Sequence, residues 1–416
     1  MAGGPLTMRT LPAGTARGAR AAERAACRSL AASAGFDVEL FDLLTCTDPD
    51  HLPEYVRVVE LEGRLVALAL VVPRRVRIAG VPVESAVLTP VAVDPGFRGR
   101  GLEEVLLGDT VAFVRSRGFR LAVFRGGVPL DARPDVVPCL GSYSTTFSPS
   151  AVGRLPGMDG ASWEPLSQAD LSRVVALYDA ATAGTPCSVV RPAEPWVWLS
   201  RRGGTEFHVL RRGPDVVGYV RVEAPRGSRG AGTLRLSEVG AEPQEALVEV
   251  LRWAAGRAAA SGLARVEFTG PPDHPFSRLA RLRASARVTV GPAYDGGVSV
   301  TNRGLLLADI AVALAARAEA AGLEEGTQVV LDVGPKRMRL TFAGGRVRLV
   351  GGRAGSEAGV PVTRLSPQAF TLMVTGRAGG AEAGMLPGTV VAAEHRQALA
   401  ALFPASYPQW VPAPYW

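Results

Sequence analysis

The stretch VAVDPGFRGRGLEEVLLGDTVAFVRSRG, residues 91–118, constrains the fold of this chain more than any other. An apolar run that reads as a strand meets a Pro-Gly turn and then Arg98-Gly99-Arg100-Gly101. An amphipathic run follows, read as a helix with Glu103 and Glu104 in its first turn. A strand that passes through a glycine loop into a helix, and on to the strand FRLAVF, needs a sheet with helices on its faces. The glycines let the backbone turn sharply and leave its N–H groups uncovered. Those groups stand at the positive end of a helix, where phosphate binds, and the two arginines add charge and donors. A pyrophosphate on a long amide-bearing arm suits such a loop, the arm lying along the exposed backbone of the preceding strand.

Around this stretch the first segment reads β-α-β-β-β-α-β. It runs from LTMRTL and an alanine-rich helix near residues 14–34, through YVRVVELEG, RLVALALVVPRRVRIAG and VESAVLTPVAV, to FRLAVF. The texture loosens near residue 150 (SPSAVGRLPGMDGAS) and the plan restarts: WEPLSQADLSRVVALYDA, the hairpin FHVLRRGPDVVGYVRVE, then a helix and strand over PQEALVEVLRWAAGRAAASGLARVEF. The chain thus carries one plan twice. The second copy enters its helix through LSEVGAEPQEAL, without the arginine–glycine alternation. A third segment opens near Arg303 with one long amphipathic helix, continues with the strands TQVVLDV, RMRLTFAGG and RVRLVGG, and has a serine-capped helix at SPQAFTLMVTG. It closes on the aromatic tail LFPASYPQWVPAPYW.

At 416 residues the chain needs two or three cores. Boundaries are expected near 150 and 300, giving units 1–150, 151–300 and 301–416 in a mixed α/β architecture. The net charge of +7 invites a nucleic-acid reading, yet arginine is spread with Ala, Gly and Pro over the whole chain and forms no stripe interleaved with aromatics. Neither nucleic acid nor membrane is expected as a partner, and with no signal-peptide plan at the N-terminus a cytoplasmic setting is expected. Cys27, Cys46, Cys139 and Cys187 are scattered, as reduced thiols would be, and no cysteine or histidine spacing suits a metal, so none is expected.

The pattern Arg98-Gly99-Arg100-Gly101-Leu102 after a fourth strand resembles the acetyl-coenzyme A loop of the GCN5-related N-acetyltransferases (GNAT). Glu103 stands where that pattern has a small residue. The order of units, two such folds with one loop and then a sterol-carrier-like α/β unit, resembles the enhanced intracellular survival (Eis) family of acetyltransferases. The resemblance implies transfer of acetyl from acetyl-coenzyme A to a primary amine, on a small molecule (aminoglycoside-like ones included) or on a lysine, and a homohexamer. It implies that Val91, Val93, Arg98, Gly99, Arg100, Gly101 and Leu102 hold the cofactor, the backbone near Val91 and Val93 also holding the oxyanion. It implies a tyrosine acid within PCLGSYSTTF, where Tyr143 is the candidate and Ser142 falls at the family position when the segments are aligned on Gly141. It also makes the α-carboxylate of Trp416 the base, delivered by the tail. The competing reading is a non-catalytic lipid-binding protein that uses the third unit.

Overall fold

The computed structural model describes residues 6–10, 17–125, 135–191, 205–223, 232–291, 296–353 and 360–410. The first unit begins with β1 (Leu6–Thr10), α1 (Arg17–Ser33) and α2 (Val38–Cys46). The meander β2 (Val56–Leu61), β3 (Arg64–Ile78) and β4 (Val81–Val93) leads through α3 (Leu102–Ser116) to β5 (Leu121–Arg125), β6 (Val137–Pro138) and β7 (Ser142–Phe147). Helix α2 has no counterpart in the sequence reading. It is short, and it starts where the Asp37 carboxylate accepts the Leu40 N–H at 3.1 Å.

The second unit repeats the plan as β8 (Ala161–Pro165), α4 (Leu171–Thr182), β9 (Thr205–Arg212), β10 (Asp215–Glu223) and β11 (Thr233–Ala241). It continues with α5 (Gln244–Ala260), β12 (Arg265–Phe268), α6 (Pro275–Ala284), β13 (Arg287–Gly291) and β14 (Gly296–Val300). The third holds α7 (Arg303–Asp309), α8 (Ala311–Ala320), β15 (Gln328–Val333), β16 (Lys336–Ala343), β17 (Arg346–Arg353), β18 (Thr363–Arg364), α9 (Pro367–Val374) and α10 (Arg396–Leu402). The single helix expected after Arg303 is two helices that meet at Ile310, a fully buried residue.

Sheet order shows how the repeat is assembled. The first sheet runs β1-β2-β3-β4-β5-β14-β6 and the second β13-β7-β12-β11-β10-β9-β8. Each has the same mixed plan, but the two have traded a strand: β7 pairs with β12 and β13, and β14 pairs with β5 and β6. Side-chain alternation makes the exchange stable. Phe147 on β7 packs in the second core with Phe268 and Phe276, and Val298 and Val300 on β14 pack in the first with Leu121 and Val123. The boundaries read near 150 and 300 therefore fall just outside the exchanged strands, so each sheet is completed by chain from the neighbouring segment.

The third unit's sheet, β17-β16-β15-β18, lays Leu331, Leu340 and Phe342 into the same apolar cluster that lines one face of the first sheet, together with Leu306, Leu314, Phe370 and Leu399 of its helices. Each such fully buried side chain contributes about 1.5–3 kcal/mol, so the third unit is fused to the first rather than tethered. Its apolar face is consumed as core. Among the described residues no helix is long and apolar enough to cross a membrane.

Candidate active site

In the first sheet β4 and β5 pair in parallel over four rows, from Ser85–Leu121 to Leu88–Phe124. Beyond Leu88 the pairing stops while β4 continues to Val93, still bonded to β3 on its other side. Asp94 N donates to Val66 O at 2.9 Å. Alternation along an antiparallel ladder then turns the N–H groups of Val91 and Val93 away from β3, into the gap beside β5. A wedge with unpaired backbone donors thus opens at the mouth of α3.

The loop that closes this mouth is built by short-range contacts. Asp94 Oδ1 accepts the Gly96 N–H at 2.9 Å and its Oδ2 accepts from Arg64 Nη2 at 2.6 Å. The Gly96 N–H above all, with Arg64, holds the Asp94 carboxyl below its ordinary pKa. The Arg64 and Arg100 guanidinium groups lie over the Phe97 ring at 5.5 and 5.0 Å. Arg98 Nη2 donates to Ser33 O at 3.4 Å, tying the loop to the end of α1.

Gly99 and Gly101 adopt φ of 73° and 74°, the left-handed region that an L side chain rarely enters, and a Cβ on either would touch nothing within 4 Å. Gly101 is the N-cap of α3 and offers no side chain, so the N–H groups of Leu102, Glu103 and Glu104 remain for a ligand. Leu102, Leu106, Leu107, Val111 and Val114 form the helix stripe that anchors it to the sheet. Glu103 is half-buried and Glu104 exposed.

These residues fit acetyl-coenzyme A. An uncapped helix mouth, two glycines with free space above them and the exposed Arg98 and Arg100 suit its pyrophosphate, and the Val91 and Val93 donors suit its amide arm.

Residues 47–126, from the end of α2 through β5, match the family described as an acetyltransferase (GNAT) domain. The matched range contains the wedge and its loop, and it supports an acetyl-coenzyme A-dependent acetyltransferase. No curated protein matches the chain. Solved structures share its fold end to end, three of them as follows. A GCN5-related N-acetyltransferase from Anabaena variabilis ATCC 29413 has a TM-score of 0.74 at 13% identity, over 98% of this chain and 99% of that one. One from Kribbella flavida has a TM-score of 0.72 at 15% identity, over 98% and 99%. Eis1 from Mycobacterium abscessus has a TM-score of 0.66 at 15% identity, over 97% and 98%.

Of the two catalytic candidates, Tyr143 belongs to a different sheet from the loop. Tyr143 is on β7, hence in the second sheet, two residues past the last β7–β12 pair. It is 1% exposed. Its hydroxyl accepts from Arg377 Nη1 at 3.2 Å and donates to Pro408 O at 3.4 Å, and its ring meets Tyr407 edge-on at 5.6 Å. Burial raises its pKa, with Arg377 working against the rise. Trp416 lies outside the described residues. The described tail is bonded at the junction of the second sheet and third unit: Gly141 N to Pro408 O and Gln409 N to Pro186 O, both at 2.9 Å.

Two groups escaped the sequence reading. Arg64, Asp94 and Phe97 shape the loop, and the Asp-Pro-Gly spelling of an Asx turn is a signal that could have exposed Asp94. Arg377 carries no local signal; only the docking of the third unit brings it to Tyr143.

Proposed function

We propose that the first unit transfers acetyl from acetyl-coenzyme A to a primary amine by direct attack. The observation that carries the reading is the pair of Val91 and Val93 N–H groups facing the wedge above an uncapped glycine mouth. Bound coenzyme supplies a thioester. The loop and the α3 mouth hold its phosphates, and the β4 donors orient its arm and stabilise the carbonyl oxygen as negative charge develops there. A new C–N bond replaces the C–S bond, the ammonium proton leaves before attack, and a proton returns to sulfur.

The two catalytic assignments implied by the resemblance belong to this proposal: the α-carboxylate of Trp416 as base and Tyr143 as acid. So do a homohexamer, a cytoplasmic setting, and a sterol-carrier-like third unit that positions the tail. The chain's basic balance does not favour a polycationic substrate, so the amine class extends to small amines and peptide lysines.

Calorimetric titration with acetyl-coenzyme A, with Gly101→Glu as control, tests the site. One-site binding lost in the variant is expected; no binding by the wild type would overturn the reading. Tyr143→Phe and deletion of residue 416 then test the acid and the base, each expected to lower kcat while leaving cofactor affinity intact. Unchanged kcat would remove that residue from the mechanism.

A further inference from the structure

The third unit presents a surface that acetyl transfer does not use. On β16 and β17 the ladder pairs Arg339 with Val350, Thr341 with Arg348 and Ala343 with Arg346. Their neighbours Met338, Leu340, Phe342 and Val347 point into the core, so these pairs share the outer face. Arg337 lies on the same face of β16, opposite Asp332. Asp332 meets Arg337 at 3.7 Å, and the Glu325 carboxylate accepts the Gly344 N–H at the hairpin end of the sheet. Arg346 and Arg348 are exposed and form no ion pair among the described residues, and Val350 between them and the sheet end is 61% exposed.

Among the described residues no strand pairs with the outer edge of this face. β17 is the terminal strand of its sheet. Gly326 N donates to Phe342 O and Phe342 N to Thr327 O, so even-numbered positions of β16 bond toward β15 and odd-numbered ones toward β17. On β17 the positions opposite those odd residues, 346, 348 and 350, are therefore satisfied inward. The N–H and C=O groups of Val347, Leu349 and Gly351 point outward, unpaired within the sheet, over an eight-residue strand.

Charge decides what can pair there. A second copy laid antiparallel on this edge would bring Arg346 and Arg348 of each chain together on one face, which repels. An extended segment with carboxylates on alternate residues has the opposite sign: its backbone continues the ladder while its acids stand about 5 Å from Arg346 and Arg348. No aromatic ring lies on these outer-face positions to stack a base. We infer that the β17 edge receives an acidic, extended peptide segment of a partner protein as an added strand, with Arg346 and Arg348 reading its alternating carboxylates.

The test uses the full chain and a fluorescein-labelled decapeptide of alternating Glu and Val, followed by anisotropy at low salt. Saturable binding is expected. Arg346→Glu with Arg348→Glu should weaken it by roughly tenfold or more. Gly351→Pro removes an outward N–H where the added ring meets open space, and should weaken binding similarly with every charge in place. The wild type should also reject the same peptide N-methylated along one edge of its backbone, a readout that needs no variant to fold. Three results would overturn the inference: no binding by the wild type; binding indifferent to N-methylation and to Gly351→Pro; or equal, equally arginine-dependent binding of phosphatidylserine vesicles or duplex DNA, which makes the face a general anion surface.

Discussion

The two β-sheets that share a plan differ at one place, and that place separates a site from a core. In the first, β4 and β5 pair over four residues and β4 runs on for five more, to Val93. In the second, β11 and β12 pair over four, from Thr233–Arg265 to Leu236–Phe268, and β11 also runs on for five, to Ala241. The wedge is built twice. Leaving the first, the chain takes eight residues, 94–101, to reach its helix; leaving the second it takes two, Glu242 and Pro243. Two residues cannot make a phosphate cradle. The mouth of α5 is instead flanked by an ion pair between Arg173 and Glu242 at 3.7 Å.

The second wedge is also filled. Glu238, on the part of β11 that has left β12, is 4% exposed and takes Arg191 Nη1 at 2.7 Å and Arg221 Nη1 at 3.0 Å on one oxygen. The Tyr219 hydroxyl reaches its other oxygen at 3.4 Å. Burial pushes the Glu238 carboxyl up, but the two guanidinium groups outweigh it and hold it below its ordinary range. What remains is a cavity of about 20 Å³, lined by Tyr178, Ser237, Thr269, His274 and Gln409 among others. That is room for a water molecule, not a coenzyme. Gln409 comes from the third unit, so the tail's described part closes the wedge that has no cofactor loop. One plan therefore leaves its wedge open or filled according to a six-residue difference in one loop and the side chains that occupy the gap.

Five substitutions break or sharpen this contrast. Glu238→Gln should have the largest effect, leaving Arg191 and Arg221 buried without a full counter-charge. Denaturant unfolding should show a loss of about 3–5 kcal/mol, with coenzyme affinity of the surviving folded protein unchanged. A shared loss of stability and affinity would mean the two wedges are coupled.

His274 gives the next. Its Nδ1 accepts the Phe276 N–H at 3.2 Å at the start of α6, and complete burial lowers its pKa to about 4. The unfolded chain, with an ordinary histidine pKa near 6.5, binds a proton that the folded chain refuses. Stability from this group is complete above pH 6.5 and falls as the pH drops toward 4, by roughly 3 kcal/mol over the window. Urea melts across that range should show the slope, and His274→Gln should flatten it.

Gly101→Glu in the first wedge should weaken acetyl-coenzyme A binding about a hundredfold, combining a left-handed backbone forced on a side chain with a carboxylate at the phosphate position. Glu242→Ala in the second should leave binding unchanged. The smallest effect belongs to Glu103→Gln, which takes a negative charge from the first turn of α3. Calorimetry should show binding tighter by roughly threefold to tenfold, a gain that shrinks with salt. No change would place the Glu103 side chain away from the phosphates.

Much of this was legible in the sequence. The strands of the first meander, the helix at 102–116, the hairpins of the third unit and the Ser366 cap all follow from period, turn chemistry and capping; Ser366 Oγ accepts the Ala369 N–H at 3.1 Å as its position predicts. The glycine turn into α3 was legible for the same reason: Arg98 through Leu102 are contiguous, and Gly99 and Gly101 take the left-handed φ the turn needs. Tyr143 was read from a neighbouring motif, and the fold carried it to another sheet.

The strand exchange marks the division. SYSTTF and GGVSV have no place in the strand order read from the sequence, and nothing within either short segment states which sheet will take it. Only the complementary cores decide, when Phe147 finds Phe276 and Val298 finds Val123. The same holds for Arg377 against Tyr143, Gln409 in the second wedge, and the arginine face of β16 and β17, whose members are spread over strand positions that only the register brings side by side. The sequence by itself determined the elements, the repeat and the glycine turn at the mouth of α3, because backbone conformation, helix polarity and glycine freedom act between near neighbours. Which wedge opens and which closes was left to the tertiary structure, because burial and pairing act between residues that the chain alone keeps far apart.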